Sequence, residues 1–206
     1  MTVDVKSFNN TTLDAIEDLA SIDYFPAIDK ANIIAVLIEN KPSMHTGFFS
    51  ESTEIGNEPS SVYLQKQSTF ENILTNLNLS YKKQIKRLER NVDGKPSYIE
   101  WVVYCIAKTL STAVDLLNAR ENNDEKREGM LLGFPATAVD AYVNDTMLSM
   151  DEAPTSTESI SDEAMKFLNH RLSKHNWEDE INYLPTFAEN IKNISPKIYT
   201  QCLDES

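Results

Sequence analysis

The stretch that most restricts the fold is residues 126–143, KREGMLLGFPATAVDAYV, in which two glycines and a proline interrupt two apolar runs. Gly133 follows a helix-like segment, at the place where a left-handed residue, usually glycine, ends a helix. Pro135 stands where the first turn of a new helix tolerates proline. Gly129 allows a neighbouring helix to come close, and the apolar residues can bury both arms. The pattern therefore predicts a helical hairpin that turns at Gly-Phe-Pro.

The same corner has a second interpretation, in which it binds an anion or another small ligand. Backbone N–H groups at the start of the helix that begins with Pro135 would contact the ligand, with Arg127 nearby. The candidate ligand-binding residues are then Arg127, Gly129, Gly133, Phe134 and Pro135. The spacing Gly-x-x-x-Gly-x-Pro matches neither a Walker loop nor a dinucleotide fingerprint, so the purely structural interpretation is favoured.

The run Arg127-x-Gly129-x-Leu131-Leu132-Gly133-Phe134-Pro135 resembles the Arg-x-Gly-x-Leu-Leu-Gly-Tyr/Phe-Pro corner of a group of uncharacterised prokaryotic domain proteins. Members of that group often carry paired cysteines after the proline, where this chain has Thr137 and Ala138. The resemblance implies a prokaryotic or viral origin. It implies no activity. Because the paired cysteines are absent from this chain, no thiol or metal role follows from the resemblance.

Apolar residues at helical spacing predict helices over 11–22, 68–77 and 97–118. Each begins with a Ser or Thr followed three residues later by an acidic residue, which is the capping-box pattern. The segment 97–118 has the broadest apolar stripe and is expected to be the spine of the core. Further helices are expected from Ile160 to near His175, and in the C-terminal tail, where Pro185 and Pro196 divide them.

Four segments predict or allow β-strands. Residues 61–66 predict a short strand, and another is expected near Phe48 and Phe49 in an otherwise loop-like region. Residues 33–38, IIAVLI, fit either a buried strand or a helix that begins at Pro26. Residues 79–88 fit a strand or a helix, and their lysines favour an edge strand.

These elements predict an α+β fold that is predominantly helical, with a small sheet in the N-terminal half and the Gly-Phe-Pro hairpin in a helical C-terminal half. An all-α fold is the alternative. A single globular core is expected over residues 1–150. An acidic Ser/Thr-rich linker is expected over 151–160, followed by a helical segment, 161–206, docked on the core.

Composition narrows the classes of function. The 206 residues carry a net charge of −13, which repels nucleic-acid phosphates, so no direct nucleic-acid binding is expected. No signal peptide or membrane span is evident, which predicts a cytoplasmic protein that does not associate with membranes. Cys105 lies in an apolar run far from Cys202 and is expected to be a buried free thiol.

Residues 82–95 form the one basic patch of the sequence. Its members are Lys82, Lys83, Lys86, Arg87 and Arg90, followed by Lys95. An acidic partner surface, another anion or the acidic tail of the chain could contact them, and a solvated edge is equally compatible with the pattern.

The three histidines give few candidates for chemistry. His45 follows Ser43 and precedes Thr46, so it is the candidate for a catalytic base. His170 and His175 are five residues apart, which places them on different faces of a helix rather than in a metal-binding pair. No metal site and no cofactor are predicted.

Two classes of function remain. The favoured one is an acidic, cytosolic, non-catalytic protein-interaction or regulatory domain with a protein partner, to which a basic surface would be complementary. A nucleic-acid mimic is its sharper form. The alternative is a small hydrolase or ligand-binding enzyme that uses the Arg127/Gly133 corner, with His45. A cavity in which Arg127, His45 and an acid converge would support the alternative.

Overall fold

The computed structural model describes residues 5–149, 157 and 160–205. The fold is α+β, with a small antiparallel sheet in the N-terminal half and helices toward the C-terminus, as predicted. The strands are β1 (Ser43–Phe49), β2 (Thr53–Glu54), β3 (Ser80–Val92) and β4 (Lys95–Ala107). The helices of the described residues are α1 (Asn10–Ser21), α2 (Ala27–Leu37), α3 (Ser61–Asn76), α4 (Leu110–Glu121), α5 (Glu125–Leu131), α6 (Ala136–Val143), α7 (Asp162–Met165), α8 (Trp177–Glu180), α9 (Leu184–Ile194) and α10 (Pro196–Asp204).

Strand β4 is the centre of the sheet. It pairs antiparallel with β1 and β2 on one side and, over its full length, with β3 on the other. Directly paired residues share a face of an antiparallel sheet. One face of β4 therefore presents Val102, Tyr104 and Ile106 to the main core, and the other presents Cys105 to α4 and the corner after α5.

The main core joins the two ends of the chain. It is one cluster of buried side chains that includes Ile16 of α1, Ile34 of α2, Phe70 of α3, and Ile191 and Ile198 of the two last helices. Phe70 packs on Phe25 and on Tyr104, with ring centroids 4.5 and 5.0 Å apart. The predicted linker 151–160 lies, apart from Thr157 and Ile160, outside the described residues, so the domain division stays a prediction.

The helix predicted over 97–118 is wrong over its first half. Residues up to Ala107 belong to β4, and only the second half is helical, as α4. A central strand that is buried on both faces reads as a continuous apolar run, without the alternation typical of a half-exposed strand. The N-cap of α4 is Thr109, whose hydroxyl accepts from Thr112 N, so the Ser97/Glu100 pattern is not a cap.

The strand predicted over 61–66 is also wrong, because these residues are the first turns of α3. Ser60 caps this helix by accepting from Tyr63 N. The apolar residues that suggested a strand, Val62 and Leu64, are half exposed on the helix surface. The predicted capping boxes at Thr11 and Ser68 are wrong as well: Ser68 lies inside α3, and Asn9 caps α1.

Other assignments are confirmed or decided. Residues 33–37 are helical in α2, the option that begins next to Pro26, and Ile38 is its C-cap. Residues 79–88 fall almost entirely in the edge strand β3, and Phe48 and Phe49 end β1. Pro185 and Pro196 lie in the first turns of α9 and α10. The helix expected from Ile160 is limited to α7, and irregular chain follows it, with a bridge between Met147 and Ser173.

Candidate ligand-binding site

The corner at residues 133–135 has the predicted geometry. Gly133 has a φ of +73° and directly follows the last helical turn of α5. Its N–H donates to Met130 O and the N–H of Phe134 donates to Gly129 O, which are the two hydrogen bonds of a Schellman motif. Pro135 is the N-cap of α6 rather than a residue of its first turn. The turn therefore lies where the sequence indicated, and α6 begins one residue after Pro135.

Gly129 brings α5 and α6 together, as expected. A Cβ atom on Gly129 would lie 2.8 Å from Cγ2 of Val139, closer than real Cβ contacts allow. The absent side chain therefore permits the contact between the two helices.

Arg127 does not converge with the rest of the corner. Its guanidinium lies 3.7 Å from the carboxylate of Asp115, and more than half of its side chain is exposed. It lines neither of the cavities that adjoin the corner. Successive helical residues are rotated by about 100°, so closeness in sequence to Gly129 does not place Arg127 on the same face of α5.

A cavity of about 410 Å³ lies beside the corner, and we call it the corner cavity. Its apolar wall comes from α5, α6 and the residues that follow each of them. Its polar groups include His45 of β1, Glu128 of α5, and His170 and Arg171 of the irregular chain after α7. The lining residues are His45, Asn123, Glu125, Glu128, Gly129, Leu132, Phe134, Ala138, Val139, Tyr142, Met147, His170 and Arg171.

His45 lies between charged groups of three elements. Its Nε2 is 3.6 Å from Oε1 of Glu128, and that oxygen also accepts a hydrogen bond from Nη1 of Arg120. Burial, together with the positive charges of Arg120 and Lys41, lowers the pKa of His45 to about 4. The imidazole is therefore neutral at neutral pH. The negative charge of Glu128 is balanced mainly by the positive charge of Arg120.

His170 is stacked between two aromatic rings. Its ring centroid lies 5.3 Å from that of Phe134 and 6.1 Å from that of Tyr183, with small interplanar angles. The pKa of His170 is lowered to about 4, mainly by burial; the charge of Glu180 opposes the shift, and that of Lys41 contributes to it. Nε2 of His170 is buried without a hydrogen-bond partner among the described residues. This imidazole is also neutral and keeps one free polar atom.

A further cavity, of about 440 Å³, lies on the other side of the corner, and we call it the second cavity. Gly133 and Pro135 line it, so the predicted ligand-binding residues divide between the two cavities: Gly129 and Phe134 face one, and Gly133 and Pro135 the other. Lys41, Asn169 and Glu180 supply polar groups. The remaining lining residues are Asn40, Asp179, Tyr183, Thr186 and Phe187.

The basic patch of β3 divides between the two faces of the sheet. Lys83 and Arg87 share the face of Tyr104, where they pair with Glu71 and Glu100. Lys82, Lys86 and Arg90 share the opposite face with Trp101, and none of the three forms an ion pair within the described part of the chain. On one face of the sheet the basic residues of the patch are therefore paired with carboxylates, and on the other they form no ion pair with the described residues.

The remaining predicted features have simple positions. His175 is exposed after α7, away from both cavities. Cys105 is a buried free cysteine, as expected, and burial raises the pKa of its thiol to about 11. Residues 5–149, 157 and 160–205 contain no cluster of three or more His, Cys, Asp or Glu side chains able to hold a metal. No helix in this part of the chain is long and apolar enough to cross a bilayer.

Sequence reasoning missed Arg120, Glu128 and Lys41 as site residues. None of them belongs to a motif, and no pattern in the sequence indicates that they lie near His45 or His170. Comparison with known proteins finds no matching family model, no similar curated protein and no similar solved structure. The two cavities and the open face of the sheet are therefore the features that indicate a function.

Proposed function

We propose that this protein binds a small, largely apolar ligand in the corner cavity. The observation that carries the proposal is the convergence of two neutral imidazoles, His45 and His170, on a cavity of about 410 Å³ whose other walls are mostly apolar. Concave sites of this size, with a few polar groups in an apolar lining, are typical of small-molecule binding.

The polar groups determine what the ligand must offer. A neutral imidazole can donate at one nitrogen and accept at the other, so the ligand needs a hydrogen-bonding group near His45 or His170. Leu132, Ala138 and Val139 supply apolar wall, which favours a hydrocarbon or aromatic body. Glu128 contributes little net charge because Arg120 pairs with it.

Binding rather than hydrolysis is the better supported activity. The described lining contains no serine, threonine or cysteine beside His45, so a nucleophile activated by that histidine is missing from the wall. A base with a pKa near 4 is also poorly matched to proton abstraction at neutral pH. The lining of the corner cavity therefore supports ligand binding better than hydrolysis.

The test fills the cavity. Ala138→Phe places a ring where the ligand body would lie, and it should weaken binding at least about tenfold, because burying the ligand's apolar surface there is no longer possible. Ala136→Phe adds the same group at an exposed position of the same helix and is the matched control. Ligands are found by native mass spectrometry of the purified protein and by fragment screening with protein-observed NMR.

His45→Gln and His170→Gln should each weaken binding of the same ligand. His175→Gln, outside the cavity, should leave the affinity unchanged. Equal binding by the Ala138→Phe variant and the wild type would contradict the proposal. So would a fragment screen in which every hit shifts resonances outside the corner cavity.

A second candidate function, a protein-interaction module, is favoured by the open face of the sheet. We define this face by Phe49, Leu88, Trp101, Lys86 and Arg90, which share one side of β1, β3 and β4. Phe49 and Leu88 are about half exposed, and Phe49 stacks on Trp101 with centroids 5.7 Å apart. An exposed phenylalanine ring, stacked on a partly buried tryptophan and next to cations without an ion pair, suits an acidic protein segment that carries an apolar side chain.

This second proposal is tested with Trp101 as the reporter. In a Trp177→Phe background, Trp101 is the only tryptophan, since the chain has two. Titration with a peptide of glutamates and one phenylalanine should shift the emission of Trp101. The double variant Lys86→Glu/Arg90→Glu should bind the peptide at least about tenfold more weakly. Lys174→Glu, on an exposed loop, is the control. A response to single-stranded poly(U) and not to the peptide would overturn both this proposal and the expected lack of nucleic-acid binding.

A further inference from the structure

The second cavity contains a buried carboxylate that the chain satisfies only in part. Glu180 is 2% exposed. Its Oε2 accepts a hydrogen bond of 2.8 Å from Ser173 N, whereas Oε1 is buried without a hydrogen-bond partner in the described residues. Leaving a buried polar group without a hydrogen-bond partner destabilises the folded state, and a charged group more than a neutral one. Native proteins seldom keep such an atom unless something else, such as a ligand, contacts it.

Lys41 contributes the opposite charge to the same cavity. Its ammonium donates to Oδ1 of Asn32 at 3.1 Å and lies 5.1 Å from the centroid of the Phe134 ring. Oδ1 of Asn32 also accepts from Nδ2 of Asn169 at 2.6 Å, which fixes the acceptor that holds Lys41. An ammonium has three N–H donors, so donors remain for a ligand. Lys41 and Glu180 form no ion pair with each other.

The two groups together restrict the ligand to one chemical class. A metal ion prefers several carboxylate or carbonyl oxygens, and the ammonium of Lys41 would repel it. A simple anion is disfavoured by Glu180, and a simple amine by Lys41. A ligand with both an ammonium and a carboxylate can pair with Glu180 and with Lys41 at once. Pro135 and Phe187 offer apolar surface to the ligand's side chain. The cavity, at about 440 Å³, has room for such a molecule.

We propose that the second cavity binds a small α-amino acid, with the ligand's ammonium donating to Oε1 of Glu180 and its carboxylate accepting from Nζ of Lys41. The amino acid would lie across the gap between the two side chains, beside Gly133. This site is on the opposite side of the corner from the corner cavity and does not depend on the ligand proposed there.

The test uses isothermal titration calorimetry of the full chain with each of the free amino acids, which requires no variant. At least one with a small or apolar side chain should bind. Its N-acetyl derivative, which lacks the ammonium, and its amide, which lacks the carboxylate, should each bind roughly 10- to 100-fold more weakly, the range expected for losing one charged hydrogen bond.

Two variants then assign the contacts. Glu180→Gln keeps the shape of the side chain and should weaken binding of the amino acid by a similar factor. Lys41→Met should do the same. Glu178→Gln, exposed on the same helix, and Lys192→Met, which removes an ammonium over the ring of Tyr199, are the matched controls. Circular dichroism checks that each variant is folded.

The proposal is overturned if no free amino acid binds the wild type, or if the N-acetyl derivative or the amide binds as well as the free amino acid. It is also overturned if Glu180→Gln binds unchanged. Ala138→Phe, which fills only the corner cavity, should leave amino-acid binding intact, so failure of one proposal is distinguishable from failure of the other.

Discussion

Replacing Gly133 by alanine should lower the free energy of unfolding by about 2–5 kcal/mol, from two separate costs. An L-residue with a Cβ pays about 1–2 kcal/mol in the left-handed region that Gly133 occupies at φ +73°. The new Cβ would also lie 2.7 Å from Cδ of Pro42. That atom belongs to a proline ring, which has no flexible end that could move aside, so relieving the contact adds about 1–3 kcal/mol.

Gly94→Ala separates the two costs. Gly94 has a similar φ of +80°, but no atom lies within 4 Å of the position that its Cβ would take. This variant should therefore show only the backbone cost, and the difference between the two variants measures the contact with Pro42. Urea denaturation followed by circular dichroism provides both values. A Gly133→Ala variant no less stable than Gly94→Ala would show that the corner does not pack against Pro42.

The corner was predictable because its chemistry is local. A left-handed residue at the end of a helix and a proline at the start of the next each follow from the conformational limits of a single residue, so Gly133 and Pro135 mark the turn without reference to the rest of the chain. The edge strand β3 was predictable for a related reason. Its lysines suit a strand with one unpaired side.

The core strand β4 was not predictable from periodicity, because the pattern depends on what covers each face. The main core covers one face of β4, and α4 with the corner covers much of the other, so apolar residues follow one another without alternation. Such a run also fits a buried helix. The same ambiguity arises at 33–38, where the structure has a helix, because α2 is buried on nearly all sides and its apolar run is also continuous.

The candidate sites were only partly predictable, because tertiary contacts assemble them. His45 was identified by residue type alone, and its partners Glu128 and Arg120 come from α5 and α4. Arg127, close to the corner in sequence, is directed to Asp115 instead. Lys41 lacks any motif, yet it contacts the ring of Phe134 at the corner. Proximity along a helix is therefore a poor guide to which charge enters a cavity.

Acidification from pH 7 to pH 5 should lower the free energy of unfolding by on the order of 2–3 kcal/mol through His45 and His170. Both have a pKa of about 4 in the folded protein, against about 6.5 in an unfolded chain. Between these values the unfolded state binds more protons, so stability falls as the pH falls through this window. About a third of the His45 side chain is exposed, so solvent screening makes its share the smaller one.

The variants His45→Gln and His170→Gln isolate this effect from the carboxylates. Asp29 opposes it, since burial raises the pKa of that carboxyl and the folded state then gains stability on acidification. That contribution is common to wild type and variants, and it cancels when their slopes of stability against pH are compared. The double variant should lose most of the slope above pH 5, and His175→Gln should keep it. If the double variant and the wild type have the same slope, the two imidazoles are not held neutral by burial, and the hydrogen bonds that we assign to them in the corner cavity lose their basis.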